Sequence, residues 1–201
     1  MDRKFYIADT HFSHENVIQF DNRPFATIEE HDRVLIERWN SVIKNKNDHV
    51  YVLGDFIWKA KGASDILKKL NGSIHLIIGN HDKHYTSFKN YRQYLVEATH
   101  MKEVKDNKIR IVLSHCPNLW HRIHRNDNHA HFYGHVHMTD EFTSVLNAQQ
   151  ELMNNPMIES AGRSYNVGAN LPYMDYTPRS AAHIIREGQK FNESFWEKQL
   201  I

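Results

Sequence analysis

The stretch IHLIIGNHD (Ile74–Asp82) decides the fold class. Its first five residues are β-branched or large and mostly apolar, the pattern of a strand buried on both faces. A glycine and three polar, potentially ligating residues follow at the strand's carboxyl end. The same arrangement recurs on both sides of it. Upstream lie KFYIADTH (Lys4–His11) and HVYVLGDF (His49–Phe56); downstream lie KIRIVLSH (Lys108–His115), HFYGHVH (His131–His137) and SYNVG (Ser164–Gly168).

Helical spacing fills the gaps. Thr27-Ile-Glu-Glu30 is a capping box, and Val34, Leu35, Trp39, Val42 and Ile43 then mark an amphipathic helix to about Lys44. Further helices are predicted over Ser64–Leu70, closed by Asn71-Gly72, and over Tyr85–Leu95, Thr143–Met153 and Ser180–Glu187, the last stopped by Gly188. Strand–helix alternation predicts an α/β domain around a central sheet. With 201 residues, 8 glycines, 5 prolines and no repeat or linker, residues 1–201 are expected to form a single domain, with 190–201 as a C-terminal tail.

Composition excludes several classes. There are 25 lysines and arginines against 24 acids, a formal charge of +1, so no broad cationic field for gripping nucleic acid is expected. No apolar run approaches the roughly 20 residues of a membrane span, and the beginning MDRKFYIADTHF has no secretory pattern. One cysteine rules out an internal disulfide framework and is compatible with a cytoplasmic location. Histidine, by contrast, numbers 16. Neutral imidazole is the commonest metal ligand, so the excess points first to metal.

The ligand-type residues stand just beyond the strand ends, where sites of α/β sheets usually form. Asp9 and His11, and His135 and His137, are i,i+2 pairs, which extended backbone turns to one side. Glycine precedes Asp55, Asn80 and His135, where a sharp turn lets the backbone close on a ligand. Each block alone is weak, since a D-x-H or a Gly-Asp after a strand is also an ordinary turn. Five blocks in order, each at a strand end, point to one centre.

The ordered set Asp9-x-His11, Gly54-Asp55, Gly79-Asn80-His81-Asp82, His115 and Gly134-His135-x-His137 resembles the signature of the calcineurin-like metallophosphoesterase superfamily. RPFATIEEHDRVLIERWN before HVYVLGDF, and SYNVGAN followed by YTPRS, resemble its small stand-alone bacterial and phage phosphoesterases. The resemblance implies an αββα sandwich of two mixed sheets. It implies one metal held by Asp9, His11, Asp55 and His137, and a second by Asp55, Asn80, His115 and His135, with Asp55 bridging. The donors are oxygen and imidazole nitrogen without thiolate, a set suited to manganese first and also to iron, nickel, cobalt or zinc. It further implies in-line attack on phosphorus by a metal-bridging hydroxide, His81 as general acid, and Asp82 orienting the His81 ring.

The departures narrow the substrate. Phosphoprotein phosphatases of the superfamily carry GD-x-x-DRG. Here Trp58 and Lys59 stand for the second aspartate and the arginine, and lysine lacks the planar fork. A small phosphodiester or nucleotide-like molecule is therefore the expected partner. The alternatives are a nuclease for short single strands, a phosphoprotein phosphatase, or a non-catalytic scaffold; a homo-oligomer is compatible with any of these. Lys59 and His14 are candidate substrate contacts. For His14 and His84 the plainer reading is a partly exposed polar residue. WHRIHRNDNHAH (Trp120–His131) reads either as a basic flap, through Arg122, Arg125 and its four histidines, or as a solvated loop. Cys116 reads as a small packing residue, and the 25 or so residues after Thr139 have no place in the family pattern.

Ligands of this kind bind metal only when deprotonated. Metal occupancy is accordingly expected to fall as pH drops through about 6.5. Full occupancy at pH 4.5 in a metal titration would contradict a centre with four histidines.

Overall fold

The computed structural model describes residues 2–59, 61–82, 91, 93–118, 128–155 and 163–198. They form two four-stranded sheets. The first contains β1 (Arg3–Ile7), β2 (Asp48–Val52), β3 (Ser73–Ile77) and β4 (Leu95–Thr99) in that order, all parallel. The second contains β5 (Met101–Asp106), β6 (Ile109–Ser114), β7 (His129–Tyr133) and β8 (Ser164–Asn166), parallel except for the antiparallel β5–β6 pair. The helices are α1 (Val17–Phe20), α2 (Ile28–Val42), α3 (Ala63–Leu67), α4 (Asp140–Met153) and α5 (Ala181–Lys198). This is the expected αββα sandwich, with one sheet mixed and the other parallel throughout its described strands. No helix among the described residues is long and apolar enough to cross a membrane.

The sheets meet through aromatic rings. Tyr6 of β1 stacks on Tyr51 of β2 at 5.5 Å and meets the edge of Phe132 of β7 at 5.0 Å. Its hydroxyl donates to Asp106 at the end of β5, 3.1 Å away. Thr27 caps α2 as its capping box predicts, accepting from the Glu30 N–H. Trp39 of α2 then packs on Phe56 and donates to the Asn71 carbonyl. After β8 the chain crosses over to β1. Ala8 donates to Val167 and accepts from Ala169, which draws the carboxyl ends of the two sheets together.

Three expectations are corrected. Leu95 opens β4 rather than closing a helix; of the predicted helix Tyr85–Leu95, residues 85–90 and 92 lie outside the described residues. In β4 Leu95, Glu97 and Thr99 are half-buried while Val96 and Ala98 are exposed, and in β5 Val104 alone is buried among charged residues, so neither shows the dense apolar run of the inner strands. Gly188 does not stop a helix, and no tail begins at 190. α5 runs on to Lys198, with Ala181, Ile184, Gly188, Asn192 and Trp196 as a continuous buried stripe. A Cβ at Gly188 would stand 2.9 Å from the Tyr165 ring, so the glycine serves close approach of α5 to β8.

Asp48 ties the start of β2 to its surroundings. Its carboxylate accepts from Arg3 Nε and Nη2 at 2.8 and 2.6 Å and from the Lys44 and Asn45 N–H groups. The Arg3 hydrogen bond, outweighing burial, holds the Asp48 pKa at about 2. A depressed carboxylate contributes stability that is complete above about pH 4 and is lost as pH falls towards the folded value. Asp48→Asn is expected to cost about 1–3 kcal/mol at pH 7 and to flatten the acid limb of a stability–pH curve. An unaltered acid limb in denaturant titrations would contradict this assignment.

Candidate metal centre

Parallel strands deliver the ligand-type residues to one edge. The chain leaves β1 into Asp9–His11, β2 into Gly54–Asp55, β3 into Gly79–Asp82, β6 into His115 and β7 into Gly134–His137. These loops bond to one another. Asp9 N–H donates to Gly54, His11 N–H to Asp55, and Gly134 N–H to His115.

Backbone conformation is unusual here. Asp9, His11, Asp55 and His135 have φ of 52°, 50°, 51° and 72°, the left-handed region that side chains disfavour. Each such residue costs of order 1–3 kcal/mol and persists only where its surroundings fix it. Arg23, wholly buried, does so for the first loop. Its Nη2 donates to the Asp9 carbonyl at 2.7 Å, its Nη1 to the Thr10 carbonyl and His31, and its Nε to Asp21. Asp82 does so for the next two loops, accepting from the N–H groups of Asp55, Phe56 and Gly79 at 2.7–3.0 Å.

The glycines are required by space. A Cβ on Gly54 would lie 2.2 Å from His115 Nδ1, one on Gly79 2.4 Å from Asp55 Oδ1, and one on Gly134 2.5 Å from Asp9 Oδ2.

All seven predicted ligands come together. Donor atoms of Asp9, His11 and His137 lie within 4.8 Å of one another, as do those of Asp9, Asp55 and His115. Asn80 Oδ1 is 2.9 Å from His115 Nε2 and 3.1 Å from His135 Nδ1. The arrangement fits cations. His11 Nε2 is buried without a hydrogen-bond partner, 3.8 Å from Asp55 Oδ2. His115 Nδ1 faces the Leu53 carbonyl at 2.7 Å and must donate to it. In the neutral ring Nε2 then carries a lone pair, and it faces another acceptor, the Asn80 oxygen. A cation between them turns that repulsion into attraction. Burial pushes the Asp9 carboxyl up to about 6, and burial together with neighbouring Arg23 pushes His11 well below its usual value. The protein alone thus leaves this carboxylate's charge poorly compensated.

His137 is backed by Asp21, whose Oδ1 lies 3.1 Å from its Nδ1. Burial alone would lower the His137 pKa, but Asp21 and Asp9 outweigh it and the net shift is upward. Asp21 and Arg23 escape a sequence reading because Asp21-Asn-Arg-Pro24 looks like any solvated turn. Their partners are Asn170, Asp9 and His137, residues remote in sequence.

Several assigned roles change. Asp82 does not carry the His81 ring, since backbone donors take up its buried carboxylate. His81 instead donates its N–H to Asp55 at 3.0 Å, and its ring, 42% exposed, lies 4.5 Å from Trp58. His14 is buried rather than partly exposed. It stacks on Trp58 at 3.7 Å with its Nδ1 3.3 Å from His11 Nδ1, beside a predicted ligand rather than lining a rim. Lys59 pairs with Glu15 at 3.0 Å, both exposed. Cys116 is exposed rather than packed. Of the histidine-rich run, His129 and His131 belong to β7, and His131 is buried against Ser114 and Ser164. His84, His121, Arg122, His124 and Arg125 lie outside the described residues. Other histidines are structural: His31 accepts from Arg23 and donates to Asp32, and His49, His75 and Glu97 form a chain across the first sheet.

Residues 4–156 match the family model described as the calcineurin-like phosphoesterase superfamily domain. An uncharacterized protein of Methanocaldococcus jannaschii is 34% identical over 92% of this chain and 90% of its own. The Gene 66 protein of Mycobacterium phage L5 is 34% identical over 41% of each chain. The crystal structure of a protein of unknown function from Aquifex aeolicus shares the fold, with a TM-score of 0.64, 24% identity, and coverage of 92% of this chain and 98% of that one.

Gly134→Ala must displace either Asp9 or the β1 end. It is expected to weaken metal binding at least about tenfold, some 1.4 kcal/mol, as measured by calorimetric titration. Wild-type affinity in that variant would contradict the close approach on which the centre depends.

Proposed function

This chain belongs to the calcineurin-like phosphoesterase superfamily and is a metal-dependent phosphoester hydrolase; we propose that its substrates are phosphodiesters or nucleotide-like small molecules. The observation that carries the reading is the convergence of seven oxygen and nitrogen donors beside a half-exposed His81. Asp9, His11, Asp55 and His137 would hold one divalent cation, and Asp55, Asn80, His115 and His135 the other, manganese suiting the mixed donor set and iron, nickel, cobalt or zinc being alternatives. Bound there, two such cations would supply the positive charge that acidifies water and neutralises the phosphoryl oxygens.

The chain's own groups do the rest. His81 Nε2 stands 4.0 Å from Asp55 Oδ2, at the edge of the donor cluster and open to solvent. From there the ring gives a proton on Nε2 to the departing ester oxygen, as water's oxygen bonds to phosphorus and the ester bond breaks; the proton that water sheds passes to solvent, which returns one to the ring. The products are an alcohol and a phosphomonoester. Asp55 holds the His81 backbone and Trp58 flanks its ring, so the acid keeps its place without the Asp82 carboxylate. Where the phosphoprotein phosphatases place aspartate and arginine, this chain has Trp58, stacked on His14, and Lys59, paired with Glu15. Neither offers a two-pronged grip on a phosphomonoester dianion, which favours the singly charged diester.

His81→Ala is expected to retain both metals and lose about 10²–10⁴ in kcat on alkyl esters, with the smallest loss on 4-nitrophenyl esters, whose leaving group needs no proton. Equal turnover by mutant and wild type across such a leaving-group series would remove His81 as the acid.

A further inference from the structure

We propose that the cleft next to Asn80 and His115 seats a nucleoside, the ester arm that stays on phosphorus, so that the preferred substrates are nucleoside phosphodiesters. The inference rests on the diesterase reading and specifies it. The cleft has a volume of about 610 Å³ and lies along the seam where the chain passes from β4 into β5. Gly79, Asn80 and His115 form its inner wall, so it opens directly from the donor cluster. Neither His81 nor Trp58 borders it. An ester arm lying there is therefore not the one that His81 protonates, and only a diester has a second arm to place.

The lining selects the arm's chemistry. Ile78, Met101 and Pro117 supply apolar surface, and Met101 is 52% exposed, a large uncovered side chain held by the first residue of β5. A polarizable thioether suits the face of a planar aromatic ring. His100 and Asn118 place polar groups in the same walls, where a base can find edge hydrogen bonds. No Asp, Glu, Lys or Arg lines the cleft among the described residues. A neutral aromatic arm matches the described walls. Pockets of this kind, chiefly apolar with a few placed polar groups, are the usual form of a small-molecule subsite.

The test keeps the leaving group constant. Methyl 4-nitrophenyl phosphate and thymidine 5′-(4-nitrophenyl phosphate) release the same 4-nitrophenolate and differ only in the retained arm. The thymidine ester is expected to show a kcat/KM at least about tenfold higher, and Met101→Ala should bring the ratio of the two towards one. A readout without turnover comes from Cys116, the single cysteine, which is exposed in the same cleft. Thymidine should slow its maleimide labelling saturably in the wild type and not in Met101→Ala, while deoxyribose alone should not. Equal kcat/KM for the two esters, with labelling indifferent to thymidine, overturns the subsite and leaves the diesterase reading standing. Hydrolysis of neither ester overturns the diesterase reading, and thymidine protection of Cys116 then still decides the subsite.

Discussion

The centre depends on backbone held where it would not otherwise stay. Asp9, His11, Asp55 and His135 are all left-handed, and any of them relaxing to an ordinary conformation would turn its side chain away from the others. Two buried charged groups hold the first three loops, and the His135 N–H is held by the Asp9 carboxylate. Arg23 spreads its planar fork over the Asp9 and Thr10 carbonyls and Asp21, and Asp82 gathers N–H groups from the Gly54–Phe56 and Gly79 turns. A buried ion is favourable only when its hydrogen-bonding capacity is used, and here it is used on the backbone of the site itself. Glycines complete the constraint, since at Gly54, Gly79 and Gly134 a methyl group would occupy space held by the His115, Asp55 and Asp9 side chains.

Such a site is electrostatically unfinished without cations. Asp9 is pushed towards neutrality and His11 away from protonation, and a buried ring nitrogen of His11 has no partner. Divalent cations remove these penalties together, so metal binding and the stability of the loop ends are linked. The fold supplies the frame: the strand ends converge because the crossover from β8 to β1 bonds Val167 and Ala169 to Ala8.

Much of this was legible from residues alone. Dense apolar runs marked β1, β2, β3, β6 and β7, and the polar residues just after them are the ones the structure brings together. What escaped had a physical reason in each case. β4 and β5 alternate too weakly to stand out, and Gly188 reads as a stop unless one sees Tyr165 pressed against it. Asp82 follows His81 in sequence, yet its carboxylate turns to the backbone of two other loops. His14 looks like a surface residue until Trp58 is found stacked on it. Asp21 and Arg23 carry no local signal, because their role is defined by carbonyls and rings brought to them by the fold.

The central claim is that one strand-end cluster holds two metals through a shared Asp55. Anomalous diffraction from crystals grown with manganese tests it most directly. Two peaks are predicted, one bounded by Asp9, His11 and His137 and the other by Asn80, His115 and His135, with Asp55 touching both. A single peak, or manganese bound away from Asp55, would contradict the account.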